Sequence, residues 1–216
     1  MKLSFIGMSG IGKSHWSNRL EMYGFHRYCC DEMIAERISP DLGQAEDAKA
    51  AMGQWMGFPY ESHYLTSEAE YLAYEVEIMH EILDEIDQIA ADSDRPVVID
   101  TTGSVIYTGA SILTQLAALT QVIYFETPMD VQQQMCQAYM DEPAPVLWHG
   151  NFHRLPQETD EAALARSYEK LLTSRSKLYI EFADITLDYH LLRQEGFTLV
   201  DFLDLIEQKF NYSYRQ

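Results

Sequence analysis

Short apolar runs alternate along this chain with longer segments of helical period. Lys2-Leu3-Ser4-Phe5-Ile6 is too short for a helix and reads as a strand. Phe25 to Cys30, Val97-Val98-Ile99-Asp100, Gln121 to Glu126 and Asp184 to Asp188 read the same way. Between these runs the pattern predicts helices over His15 to Met22, Asp31 to Ile38, Tyr107 to Leu119, Thr127 to Met140, Asp160 to Phe182 and Thr198 to Lys209. Ser67-Glu68-Ala69-Glu70 has the form of a capping box, which predicts a long helix from there to about Ala91. Its apolar stripe is Tyr71, Tyr74, Ile78, Ile82, Ile86 and Ile89, and its Glu and Asp residues fill the other faces as solvated surface. Strands that alternate with helices throughout predict an α/β fold, a parallel sheet with helices on both faces. A length of 216 residues suits one domain over 1–216.

Two segments break the periodicity. Residues 39 to 66 carry Pro40, Gly43, Gly53, Gly57 and Pro59, with one short helix expected around Ala45 to Met52. The aromatics Trp55, Phe58, Tyr60 and Tyr64 either pack a satellite cluster or line a pocket, and 39–92 is the expected acceptor-binding segment. Residues 141 to 159 hold Pro143, Pro145, Gly150 and Pro156 together with Trp148, His149, His153 and Arg154. A loop of this length between two helices is the expected lid, because phosphoryl transfer needs water excluded.

The chemistry begins directly after the first strand. Gly7-Met8-Ser9-Gly10-Ile11-Gly12-Lys13-Ser14 is G-x-x-x-x-G-K-S between a strand and a helix, the context that marks a phosphate-binding loop. Its glycines let successive N–H groups turn inward toward an anion, and the following helix adds its N-terminal dipole. Gly7, Gly10, Ile11, Gly12, Lys13, Ser14 and His15 are therefore the expected nucleotide-binding residues, with ATP and Mg²⁺ as cofactors. Lys13 would reach the β- and γ-phosphates, and the Ser14 hydroxyl would bind Mg²⁺. Asp100, ending a buried strand, is the candidate second metal ligand. Asp31 follows the second strand at the end of the sheet where ligands bind. It serves there as a catalytic residue facing the γ-phosphate or as the cap of its own helix.

Charge narrows the partners. The formal charge is −19, from 34 acidic and 15 basic residues, so nucleic acid and anionic membranes are not expected partners. No apolar run is long enough to span a membrane, and with the first strand at the start of the sequence no signal peptide is expected. Three cysteines, with Cys29-Cys30 adjacent, point to a reducing, cytoplasmic setting and to small buried strand residues rather than a zinc site.

By Asp184 the order of parts resembles the shikimate kinases, within the small P-loop kinases. Four places carry the resemblance. They are Gly7 to Ser14; Asp31-Glu32-Met33-Ile34, like the second half of D-x-D-x-x-I; Asp100 to Val105, where that family has a run of glycines; and Arg175-Ser176-Lys177-Leu178-Tyr179-Ile180-Glu181-Phe182-Ala183-Asp184, like R-x-P-L-Y-x-E-x-A-D. The resemblance implies a P-loop NTPase fold with a five-stranded parallel sheet in the order 2-3-1-4-5, a moving lid, and a kinase acting on a small-molecule hydroxyl. It implies that Asp31, Thr102, Gly103 and Arg175 meet the acceptor. The departures fall on the acceptor half. The first aspartate of D-x-D is Cys29; the arginine of F-R-x-x-E is missing from Tyr71-Leu72-Ala73-Tyr74-Glu75; and the lid arginine is missing from Ala144-Pro145-Val146-Leu147. Arg154, ahead of His149 and His153, is the expected lid cation and third catalytic residue beside Lys13 and Asp31. A missing carboxylate-binding arginine argues against shikimate itself and favours a less anionic, cyclitol- or sugar-like or amine-bearing acceptor. Two function classes follow: a small-molecule kinase, or a nucleotide-binding regulatory protein on a kinase scaffold with little turnover.

Overall fold

The computed structural model describes residues 1–39, 48–89, 95–141 and 145–213. The expected helix start at Ala45, the far end of the acceptor segment at 90–92 and the lid residues Pro143 and Ala144 lie outside the described residues. Five strands form one parallel sheet: β1 (Lys2–Ile6), β2 (His26–Cys29), β3 (Val97–Asp100), β4 (Gln121–Phe125) and β5 (Ile185–Leu187), in the order β2-β3-β1-β4-β5. The described helices are α1 (Lys13–Met22), α2 (Cys30–Ile38), α3 (Ala48–Met56), α4 (Tyr64–Ile89), α5 (Ala110–Leu119), α6 (Met129–Asp141), α7 (Asp160–Phe182) and α8 (Leu199–Ser213). Sheet order and class are those expected.

The strands are apolar on both faces because helices cover both. Leu3, Phe5, Val98, Ile123 and Phe125 face α1 and α8, where Trp16 stacks flat on Phe202 at 4.3 Å. Val97, Ile99, Val122 and Tyr124 face the larger core built with α2, α4, α5 and α7. Burying the fifteen-residue cluster under α1 and α8 is mainly hydrophobic work, each large side chain contributing about 1.5–3 kcal/mol.

Three local expectations change. Helix α4 begins at Tyr64, one turn before Ser67, so Ser67 lies inside the helix and not at its cap. The amides of Thr66 and Ser67 both bond to the carbonyl of His63, which starts the turn there. Helix α2 begins at Cys30, with Cys29 at its cap position, so Asp31 sits in the first turn and not at the cap. Gly109 splits the expected 107–119 helix into a 3₁₀ turn, Val105–Tyr107, and α5. Helix α7 spans the expected residues, with Thr159 capping it by accepting the amide of Ala162. No described helix is long and apolar enough to cross a membrane.

The aromatic segment packs. Phe58 stacks with Tyr60 and meets Tyr139, in a cluster that includes Trp148, Tyr168 and Phe152. Within the expected lid, Pro145 to Trp148 are buried, Trp148 at 1% exposure. Tyr64 Oη receives the Trp148 amide at 2.7 Å and lies 2.9 Å from the Val146 carbonyl, so this stretch is strapped to α4. The residues that follow are held as well: the His149 amide donates to Glu68 at 2.8 Å, Asn151 Nδ2 donates to the Trp148 carbonyl at 2.9 Å, and Arg166 donates to the His153 carbonyl.

Candidate active site

The phosphate loop runs from the end of β1 to the start of α1. At Gly7 the backbone has φ +140°, and a Cβ would lie 2.8 Å from the Phe125 carbonyl oxygen, so glycine is required there. The Lys13 ammonium, 5% exposed, donates to the Gly7 and Met8 carbonyls at 2.9 and 3.1 Å, which holds a cation over the loop. Ser14 and His15 are exposed at the first turn of α1. Burial, then the nearby charges of Arg19 and Arg193, lower the His15 pKa and favour its neutral form. Gly10, Ile11 and Gly12 complete the loop. Arg193 reaches it from the segment after β5, donating to the Ile11 carbonyl at 2.8 Å and lying 3.6 Å over the Tyr189 ring. Arg193 has no signal in the sequence beyond being one of few cations.

Asp100 lies beside the loop. It pairs in register with Phe5 on β1 and with Cys29 on β2, so positions 29 and 100 are neighbours at one end of the sheet. Its Oδ2 accepts the Ser17 hydroxyl at 2.9 Å and lies 3.6 Å from Arg27 Nη2. Ser17 is one turn from Ser14, whose carbonyl its hydroxyl also approaches. Ser14 and Asp100 are hard oxygen donors, which fit Mg²⁺. No group of three or more His, Cys, Asp or Glu side chains stands together as a metal site among the described residues. An ion here would thus take its remaining ligands from phosphate oxygens and water.

The residues expected around an acceptor converge at the turn after β3. A Cβ on Gly103 would stand 3.0 Å from Arg175 Nη1 and 3.2 Å from the Ser9 amide nitrogen. The Gly103 carbonyl accepts the Tyr179 hydroxyl at 2.5 Å. Arg175 is 1% exposed; its Nη2 donates to the Leu147 carbonyl at 2.5 Å, and its Nε finds no acceptor among the described residues. Asp31, half-buried, accepts the Tyr71 hydroxyl at 2.9 Å. Arg154 is turned elsewhere: it is exposed and its guanidinium donates to Asp160 at 2.7 Å, at the start of α7.

Glu75, which in the sequence ends the F-R-x-x-E-like stretch and has no role assigned there, lies at this turn. It is fully buried in the apolar stripe of α4, in place of Tyr74, which is half-buried. Its carboxylate accepts the hydroxyls of Thr102 and, at 2.6 Å, Ser104. Burial pushes its pKa up to about 7; the Ser104 and Thr102 hydroxyls pull it back, the charge of Asp31 raises it and Arg175 lowers it. The available signal was register: Tyr71, Glu75, Ile78, Ile82 and Ile86 share one helix face.

No protein-family model matches the chain, and no curated protein matches it. Solved structures do. Shikimate kinase from Acinetobacter baumannii in complex with shikimate superposes with a TM-score of 0.60 at 20% identity, over 99% of this chain and 93% of that one. Shikimate kinase from Bacteroides thetaiotaomicron gives 0.59 at 15% identity, over 96% and 98%. Shikimate kinase from Aquifex aeolicus gives 0.59 at 17% identity, over 98% and 96%. The chain therefore has a shikimate-kinase-like fold.

Proposed function

We propose that this chain transfers the γ-phosphoryl group of ATP to a hydroxyl of a small molecule. The observation that carries this reading is the convergence at Gly103, which touches both the phosphate loop and Arg175. A donor loop and an anion-binding guanidinium at one turn are what in-line transfer by positioning requires.

Lys13 and the amides of Gly10 to Ser14 bind the phosphates. Ser14 and Asp100 would hold Mg²⁺, which when bound neutralises phosphate charge. Arg27 and Ser17 fix Asp100 for that role. Tyr71 holds Asp31, which accepts and orients the acceptor hydroxyl. Arg175, buried with an Nε that has no partner among the described residues, binds an oxygen of the acceptor. Arg154 would join from the covering segment only by leaving Asp160. That ion pair favours the second reading, a nucleotide-binding regulator with little turnover.

ADP formation measured with cyclitols, sugars, hydroxy acids and nucleosides separates the two. Stimulation by one acceptor class is expected. ATP binding with no stimulation by any of them selects the regulator. Lys13→Ala is expected to abolish nucleotide binding or turnover, and unchanged affinity and activity would sink the site as described.

A further inference from the structure

One residue of the expected lid is held against the acceptor half of the site by a tight turn. The Asn151 amide and its side-chain Nδ2 both donate to the Trp148 carbonyl, at 2.8 and 2.9 Å. The two residues between, His149 and Gly150, have φ of +46° and +76°. Glycine and asparagine suit such a turn, and a histidine is carried there at a cost in backbone strain. Glu68 of α4 accepts the His149 amide at 2.8 Å. The His149 ring is exposed and stacks on Tyr107, with centroids 4.2 Å and planes 22° apart. Tyr107 ends the 3₁₀ turn that directly follows Thr102–Gly103–Ser104. The Arg175 guanidinium carbon lies 5.2 Å from the centre of the same ring. An exposed imidazole, a half-buried phenol and a buried guanidinium thus form one series, which leads from solvent to the atoms that crowd Gly103.

We propose that His149 and Tyr107 are positioning residues for Arg175, and that His149, not Arg154, is the residue by which the expected lid serves the site. The use made of Arg175 rests on the kinase reading; the positioning itself does not. The hydrogen bonds of Arg175 do not fix its plane. Nη2 is held by the Leu147 carbonyl, Nη1 approaches the weak acceptor Met8 Sδ at 3.6 Å, and Nε has no partner among the described residues. One strong hydrogen bond acts as a pivot. A ring face adds the plane, because a guanidinium within about 6 Å of a ring centre is attracted to that face. Tyr107 supplies the face but is itself only half-buried, so a second ring against it keeps it from swinging out. The orientation so fixed decides which oxygen of an acceptor Arg175 can meet. The two rings therefore set specificity through the guanidinium. Arg154 is paired with Asp160 and takes no part in this series.

The test is the exchange of the Arg175 Nε proton with water, read by NMR on the full chain without added ligand and assigned through its own side-chain carbons. Tyr107→Leu removes the ring face and is expected to speed that exchange by about tenfold, the weight of one desolvated cation–ring contact. His149→Asn suits the backbone of the turn and removes only the outer ring; it is expected to speed the exchange in the same direction. The Trp148 amide, which reports the strap on α4, is expected to keep its rate in His149→Asn. His149→Phe restores a flat ring and is expected to bring the slow Arg175 rate back. An Arg175 rate unchanged in His149→Asn overturns the proposal, as does a wild-type rate equal to that of an exposed arginine. A Trp148 amide that speeds up together with Arg175 overturns it too, because the strap and not the rings would then hold the guanidinium. So does His149→Phe exchanging as fast as His149→Asn. Should Tyr107→Leu not fold, the two His149 variants decide alone. Failure of every acceptor to draw phosphate, with these rates as expected, removes the kinase reading and leaves the positioning standing.

Discussion

At the scale of single residues, Gly103 has little room: an added Cβ would stand 3.0 Å from Arg175 Nη1 and 3.2 Å from the Ser9 amide nitrogen. The atoms that crowd its Cβ position belong to a buried guanidinium and to the phosphate-loop backbone, neither of which is a flexible chain end in solvent. Gly103→Ala forces one of them back, at a cost of about 1–3 kcal/mol. Taken from transition-state binding, that is about fivefold to about 160-fold in kcat/KM. Steady-state kinetics on an acceptor found active, alongside a thermal melt, is expected to give this loss in a protein that still folds. Glu75 makes an opposite kind of prediction. Its folded pKa of about 7 lies above its unfolded value, so between the two the folded state holds a proton that the unfolded state has lost. Stability is then full at acid pH and falls as pH rises toward 7, by about 3 kcal/mol from this group alone. Glu75→Gln is expected to raise the melting temperature more at alkaline than at acid pH. Most of the phosphate loop was legible in the sequence, because spacing and flanking elements specify it. Glu75 was legible only as the end of the F-R-x-x-E-like stretch; its burial was not, because an acid on a helix rich in acids looks like solvated surface until the register of the stripe is fixed by packing.

Among the elements, the stretch 145–149 is the one whose character the sequence misrepresents. Its proline and lack of period read as a loose cover, yet Trp148 sits at 1% exposure, donating from its indole to Tyr139. Tyr64 and Glu68 on α4 hold the backbone amides of Trp148 and His149. The result leaves His149 at φ +46°, its ring 4.2 Å from Tyr107. These are long-range contacts, and no local pattern announces them. Truncating a buried tryptophan costs about 3–5 kcal/mol. Trp148→Ala is expected to lose that much in denaturant unfolding, and to expose the chain near 149–158 to protease before the global transition. Strands β1 to β5 were legible, by contrast, because each is a short apolar run bounded by turn chemistry. The errors at helix starts, Tyr64 for Ser67 and Cys30 for Asp31, arise because capping side chains recur inside these sequences and only hydrogen bonding selects among them.

For the whole molecule, the charge of −19 is the dominant fact. Such an excess opposes compaction through self-repulsion, and salt screens it over about 10 Å at 0.1 M. Raising sodium chloride from low to moderate concentration is expected to raise the melting temperature, and a flat or falling response would refute the charge argument. The surface ion pairs of Arg37 with Glu77 and Glu81 weaken in the same salt, but exposed pairs contribute about 0–1 kcal/mol and do not reverse the trend.

Arg175 binds the Leu147 carbonyl, contacts Met8 Sδ at 3.6 Å and borders Gly103. The strap, the donor loop and the acceptor turn thus share one guanidinium. Should the chain bind a nucleotide and an acceptor as proposed, the two are linked: whatever factor the nucleotide applies to acceptor affinity, the acceptor returns to the nucleotide. A substitution in the strap, remote from both ligands, would change that shared factor rather than either affinity alone.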